Sequence, residues 1–343
     1  MMEIQRKILL KQKSKDYIDL VNSIGKFLES ARKQVARFVN NILVKTYWEI
    51  GRRIVEYEQR GEEKAEYGSE LLSRLSNDLS SKYGKGFSKS NVYLMRLFFL
   101  KYQKFQTASG KLSWSHYVEL LGVSDDLARS FYEKQCIKEN WSVRELKRQI
   151  NSMLFERVAL SKDKKSVLKL AKKGQIIEKE EDIIKNPYVL EFLGIPEQYQ
   201  YTEKELEQKI IDNLQMFLLE LGRGFCFFSR QYRITLNNNH FYVDLVFYHT
   251  ILKCYVLIDL KVGKITHQDI GQMNMYLNYF KAEVNEKNDN PPVGIVLGAE
   301  KDNILVEYAL GGITNKLFVS RYKLYLPKKE KLRQKLKYLL EKE

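Results

Sequence analysis

The chain has 343 residues, with 58 Lys+Arg against 43 Asp+Glu and a formal net charge of +15. That length calls for about two domains and needs no staples to support a core, and 44% hydrophobic with 29% charged residues is a folding composition, not a disordered one. No apolar run is long enough to span a bilayer, Lys11 and Lys13 interrupt any leader-like stretch, and Cys136, Cys226 and Cys254 form no CxxC pair, so membrane, secreted-disulfide and thiolate-zinc classes fall away and a reducing cytoplasm is expected.

In chain order, residues 16–60 are expected to be helical, because Ile18, Val21, Ile24 and Phe27 recur at spacings of three and Val35, Phe38, Val39, Ile42 and Leu43 continue the period. Residues 68–83 form a second helix with Leu71, Leu72, Leu75 and Leu79 on one stripe. Gly84 and Gly86 stop it, and Ser88 or Ser90 caps the next helix from Asn91. Helix, short Gly-containing turn, helix is the helix-turn-helix outline, although a plain helical hairpin looks the same. In the DNA-binding version Lys85, Lys89, Asn91 and Arg96 reach the groove. Ser142 and Glu145 make a capping box that opens a helix to about Val158, carrying Arg144, Lys147 and Arg148. Trp114 and Trp141 read as core anchors.

The charge is segregated. Residues 1–81 carry +3, residues 82–173 carry +12, residues 174–200 carry −4 and residues 201–343 carry +4. A basic block in a helical segment reads as a nucleic-acid footprint, against the plainer reading of a solvated face. The acidic, Pro-punctuated stretch 174–200 reads as a linker.

Beyond it the period changes. Residues 203–221 read as one helix ended by Gly222 and Gly224. Strands are expected at 225–236, 241–248 and 254–261, then a helix at 267–281, strands at 292–297 and 317–326, and a charged helix from Lys328. The order is α-β-β-β-α-β, a mixed sheet flanked by helices. Two carboxylates break otherwise apolar strands. These are Asp244 in Tyr-Val-Asp-Leu-Val and Asp259 in Val-Leu-Ile-Asp-Leu-Lys, with Lys261 on the same face as Asp259. A carboxylate there is costly unless paired or metal-bound. Two on one hairpin suit a hard cation, Mg²⁺ or Mn²⁺, which activates water and neutralises a scissile phosphate. A buried Asp–Lys pair is the plainer alternative. His116, His240, His249 and His267 form no zinc pair, and no nucleotide-binding glycine loop is present.

The segments 241–249, 256–261, 271–277 and 306–310 resemble the bacterial YhcG-type PD-(D/E)XK nuclease-domain family, and 83–96, 112–117 and 141–146 are similar to that family's N-terminal domain. The resemblance implies an αβββαβ restriction-endonuclease-like core and a winged helix-turn-helix domain. It gives Asp244 the first metal-binding acid, Asp259 the second, Lys261 the catalytic lysine, and Gln272 with Tyr276 the QxxxY element. A further acid often comes from the first core helix, with Glu207, near the helix start, as the first choice and Glu220 as its rival. Val243 stands where the motif has Pro, and Asp259 where the family usually has Glu, one methylene shorter.

The expected organisation is a helical, winged-helix-like DNA-binding domain at 1–173, an acidic linker at 174–200, a nuclease domain at 201–327 and a charged helix at 328–343. The expected function is Mg²⁺- or Mn²⁺-dependent DNA endonuclease activity in restriction, defence or processing. DNA is the partner, and a homodimer or other restriction or defence components are implied. The alternative is a nuclease-fold protein with a retired site that acts as a DNA-binding or assembly module.

Overall fold

A computed structural model of the chain describes residues 2–60, 66–103, 111–160, 164–196, 200–300, 302–326 and 328–341. The chain divides into two compact units, Met1–Ser124 and Asp125–Glu343.

The first unit contains α1 (Met2–Arg60), α2 (Glu66–Tyr83), α3 (Lys89–Lys101) and α4 (Trp114–Leu121). Its core gathers Val44, Ile54, Leu72, Val92, Met95, Phe98, Tyr117 and Leu120. Gly51 lets α1 approach α3 closely, because a Cβ there would collide with the Met95 carbonyl. Ser88 caps α3 by accepting from the Asn91 amide at 3.3 Å. Trp114 packs edge-on against Tyr47 and Phe98, which makes it the anchor expected. Among its described residues the unit is helical throughout. The α2–turn–α3 outline is present, and among the unit's described residues no strand lies beside it.

The second unit contains α5 (Asp126–Glu139), α6 (Val143–Asn151), α7 (Leu154–Ala159), α8 (Lys164–Lys173), β1 (Tyr188–Val189), α9 (Glu203–Asp212), α10 (Leu214–Leu221), β2 (Phe225–Leu236), β3 (Asn239–His249), β4 (Cys254–Lys264), α11 (His267–Tyr279), β5 (Val293–Glu300), α12 (Asn303–Leu310), β6 (Lys316–Lys323) and α13 (Lys329–Glu341). Among the described residues the strands form one six-stranded sheet in the order β1-β6-β5-β4-β3-β2. β2, β3 and β4 are an antiparallel meander, and β5, β6 and β1 add in parallel. One core cluster joins Leu206, Ile210, Phe217 and Leu221 to Leu245, Val256, Ile258 and Ile295. Another joins Val246, Leu257 and Val296 to Ile270, Met273 and Leu277 of α11. Alternating strand residues thus feed two layers of helices.

Three expectations change. Residues 203–221 are two helices, because Asn213 leaves helical geometry and its side chain donates to the Lys209 carbonyl at 2.9 Å. The helix from Val143 likewise stops before Val158, since Met153 takes a left-handed φ of 57° and α7 starts afresh. The stretch 174–200 is no linker. Ile183, Tyr188, Leu190, Leu193 and Ile195 are buried in the sheet core, and β1 pairs with β6. Its acidic residues are partly neutralised from outside the segment, Glu180 and Glu181 by Lys316 at 3.7 Å each.

Candidate active site

β3 and β4 pair from His249↔Cys254 as far as Leu245↔Ile258. Beyond that pair the ladder opens, and the Asp244 carboxylate takes over, with Oδ2 accepting from the Leu260 amide at 2.7 Å. Asp244 and Asp259 face one another across this opening by the same register. Asp259 is only 3% exposed. Its Oδ2 lies 2.9 Å from Lys261 Nζ, an ion pair that lacks hydrogen-bond geometry. Lys261 also lies 3.8 Å from Glu203 and 3.7 Å from Asp269.

A third acid joins from α9. Glu207 is buried, and Gln231 Nε2 donates both to Glu207 Oε2 at 2.6 Å and to Asp244 Oδ1 at 3.0 Å. Gln231 holds this bridging position with a left-handed φ of 47° in β2, a conformation uncommon for a residue with a Cβ. Tyr276 on α11 donates to the Tyr242 carbonyl at 3.0 Å, and Gln272 Nε2 donates to the Tyr276 hydroxyl at 2.5 Å. This pair ties α11 to β3 two residues before Asp244.

The electrostatics are those of crowded acids. Burial and the neighbouring Asp244 carboxylate push Asp259 up to about 7. Burial raises Asp244 as well. Burial, then the Asp244 charge against the Gln231 hydrogen bond, leaves Glu207 above its usual range. Burial pulls Lys261 down, but Asp259, Glu203 and Asp269 outweigh it and hold the ammonium above its ordinary value. Burial and the Asp259 charge raise Tyr276 to about 12.

The donor set fits a hard divalent cation. Glu207 Oε1 and Asp259 Oδ2 are buried and have no hydrogen-bond partner, only ion pairs with Arg230 at 3.4 Å and Lys261 at 2.9 Å, which leaves carboxylate lone pairs for a cation. Among the described residues no three His, Cys, Asp or Glu side chains converge closely enough to enclose an ion by themselves. Mg²⁺ does not require that, since it is commonly held by one or two carboxylates and keeps its waters.

The structure therefore brings Asp244, Asp259, Lys261, Glu207, Gln272 and Tyr276 to one place. It separates the rival acid Glu220, which is fully buried elsewhere with Arg157 Nη1 at 2.6 Å and Arg148 Nη1 at 3.2 Å. Burial works against the Glu220 charge, but Arg157, Lys185 and Arg148 outweigh it and hold the carboxyl at about 2. Arg148 is consequently not a surface base. It is 8% exposed and also pairs with Glu191 at 3.0 Å. Asn91 is spent on structure too, donating to the Gly86 carbonyl and accepting from Trp114 Nε1 at 2.8 Å. Arg96 pairs with Glu58 at 2.7 Å. Lys85, Lys89, Arg144 and Lys147 are exposed. His249 is buried at the end of β3, hydrogen-bonded to the Arg223 carbonyl and the Leu252 amide.

Gln231, Glu203 and Asp269 escaped the sequence reading. For Gln231 a signal exists. Counting back along the hairpin from Leu236↔Asn239 sets residue 231 opposite residue 244.

Residues 181–337 match the model described as the YhcG PDDEXK nuclease domain, and residues 23–157 match the DUF1016 N-terminal domain. Over 352 aligned positions the chain is 41% identical to "Putative nuclease YhcG" of Escherichia coli (strain K12), covering 93% of each. The chain belongs to the YhcG family. The gap between the two YhcG-family matches, after 157 and before 181, falls inside the second compact unit. The inherited boundary therefore differs from the packing boundary at Ser124–Asp125.

Among solved structures there is slight likeness to a repair endonuclease from Pyrococcus abyssi, at 22% identity and TM-score 0.27, over 38% of this chain and 50% of that one. The EndoMS–dsDNA2 complex matches at 15% identity and TM-score 0.26, over 39% of this chain and 51% of that one. PDDEXK nucleases in general use divalent metals, and the acids of this YhcG-family site are the groups such a metal would meet.

Proposed function

We propose that this chain is a divalent-metal-dependent DNA endonuclease whose reacting centre is Asp244, Asp259, Lys261 and Glu207. The observation that carries this reading is the pair of buried carboxylate oxygens without hydrogen-bond partners, on Glu207 and Asp259, beside a lysine. Asp244 and Asp259 would hold the cation, with Glu207 on the side of Asp244. Such a cation supplies an activated water and charge neutralisation at a phosphate. Lys261 holds its proton and offers positive charge to a phosphate oxygen or to the attacking water. Gln231 ties Glu207 and Asp244 to one side-chain amide, at 2.6 and 3.0 Å. Tyr276 and Gln272 hold the stretch of β3 that carries Asp244.

Lys85 and Lys89 in the first unit, and Arg144 and Lys147 in the second, are the exposed cations assigned to phosphate contacts.

The test is cleavage of plasmid and linear DNA with Mg²⁺ or Mn²⁺. Lys261→Ala is expected to lower the rate by about 10²–10³-fold, and Asp244→Ala to abolish it, with DNA affinity retained in both. Cleavage unchanged in Asp244→Ala would falsify the site. A wild-type chain that binds DNA yet cuts none with either metal would support instead a retired site, for which the shortened acid at Asp259 is the structural argument.

A further inference from the structure

The first helix carries an apolar stripe that the other described residues leave uncovered. Twelve large hydrophobic side chains from Tyr17 to Leu43 are exposed, ranging from 36% at Leu43 to 75% at Phe27. Exposed apolar residues on a soluble surface are normally scattered singly. These are ordered. Tyr17, Val21, Ile24, Leu28, Ala31, Val35, Phe38 and Ile42 follow one another at alternating steps of four and three, which is the a and d spacing of a coiled-coil seam. Asp19, Lys26, Glu29, Lys33 and Arg37 fall at outward positions of the same repeat.

We propose that this stripe is an assembly surface, on which α1 of a second copy of the chain packs antiparallel. The inference stands apart from the nuclease reading. Two arguments select a second copy as occupant. The first is area. Half-exposed side chains of this size offer on the order of 80 Å² each, so the stripe offers on the order of 1,000 Å², against the roughly 800 Å² per partner of a stable interface. The second is self-complementary volume. With the pair centred between Leu28 and Ala31, Leu28 meets Ala31, Val21 meets Phe38, Ile24 meets Val35 and Tyr17 meets Ile42. Ile18 and Val39 then flank the seam side by side. A parallel pair would face Ala31 with itself, leaving a void, and crowd Phe38 against Phe38.

Sedimentation equilibrium of the full chain at micromolar concentration tests this. A multiple of the 40.6 kDa chain mass is expected. The triple substitution Ile24→Glu, Leu28→Glu and Val35→Glu should return the single-chain mass, while Lys33→Glu on the outward face keeps the assembly. These side chains are exposed in the single chain, so the triple variant loses none of that chain's own core. A wild-type chain of single mass throughout overturns the proposal, as does a triple variant that keeps the assembled mass. A second measurement needs no disruptive variant. With the exposed Cys226 changed to Ser, chains bearing Tyr17→Cys should disulfide-link to chains bearing Ile42→Cys. Linking of either kind only to itself overturns the antiparallel order.

Discussion

Glu207 and Glu220 sit on neighbouring helices, α9 and α10, and are buried to 4% and 0% exposure. Their surroundings differ: Glu220 lies among buried cations, whereas Glu207 lies between an acid and the exposed Arg230, whose Nε is 3.4 Å from Oε1. Glu220 is enclosed by Arg157, Arg148 and Lys185, and accepts a further hydrogen bond from the Val189 amide at 3.0 Å. Its carboxyl is held at about 2. Glu207 faces another acid, Asp244, shares one amide with it, and keeps an oxygen without a hydrogen-bond partner. Its carboxyl is raised. Burial alone therefore does not distinguish a structural acid from a reactive one. The sign of the neighbours and the number of unspent lone pairs do.

The largest way to expose this contrast is to delete the structural acid. Glu220→Ala leaves Arg157 buried without its counter-charge and Arg148 with Glu191 alone, and should cost about 3–5 kcal/mol in urea unfolding, with loss of soluble chain as the extreme outcome. A cost near zero would mean that the cluster is solvated.

Acid should do the same reversibly. Folded Glu220 binds its proton less tightly than the unfolded group, so its contribution is complete above about pH 4.5 and is lost as pH falls toward about 2. That amounts to about 3 kcal/mol across the window. The urea midpoint should fall over that range, and Glu220→Gln should show a shallower fall.

Glu207→Gln should behave in the opposite way. Removing a charge that faces Asp244 on one side and only the exposed Arg230 on the other should leave stability within about 1 kcal/mol of wild type. Titration calorimetry with Mn²⁺ should show affinity weakened by about 10–100-fold. Equal destabilisation by Glu207→Gln and Glu220→Gln would erase the distinction between the two glutamates.

The smallest effect lies on α6. Lys147→Ala should lower the salt slope of DNA binding by about 0.9, whereas Arg148→Ala should leave the slope alone and lower the unfolding midpoint.

Strands β2 to β6 were legible as strand-like runs between turn signals, whereas the two-residue β1 was not, and Asp244 and Asp259 were legible as charges that apolar strands do not tolerate without partners. In the sequence Glu207 stands ahead of Glu220 only by its place near the helix start, and helical geometry alone does not separate them. The choice turned on the break at Asn213 and on how each helix sits against the sheet, neither of which periodicity reports. Arg148 was misread for a related reason. Its partner Glu220 lies 72 residues away, and a charge count sees the base without the acid. The acidic stretch 174–200 looked like a linker because composition hides that Ile183, Tyr188 and Leu193 alternate inward among its charges.

Lys261 has a consequence for how the protein is made. Its ammonium lies among Asp259, Glu203 and Asp269, so the chain carries its own counter-ion where carboxylates crowd. Were the site to take a cation, folding and metal loading would be separable events, unlike those of small metal-nucleated domains that collapse when the ion is stripped. A chelator would silence such a centre while the sheet around it stayed intact, and a newly made chain could reach its fold before meeting any cation.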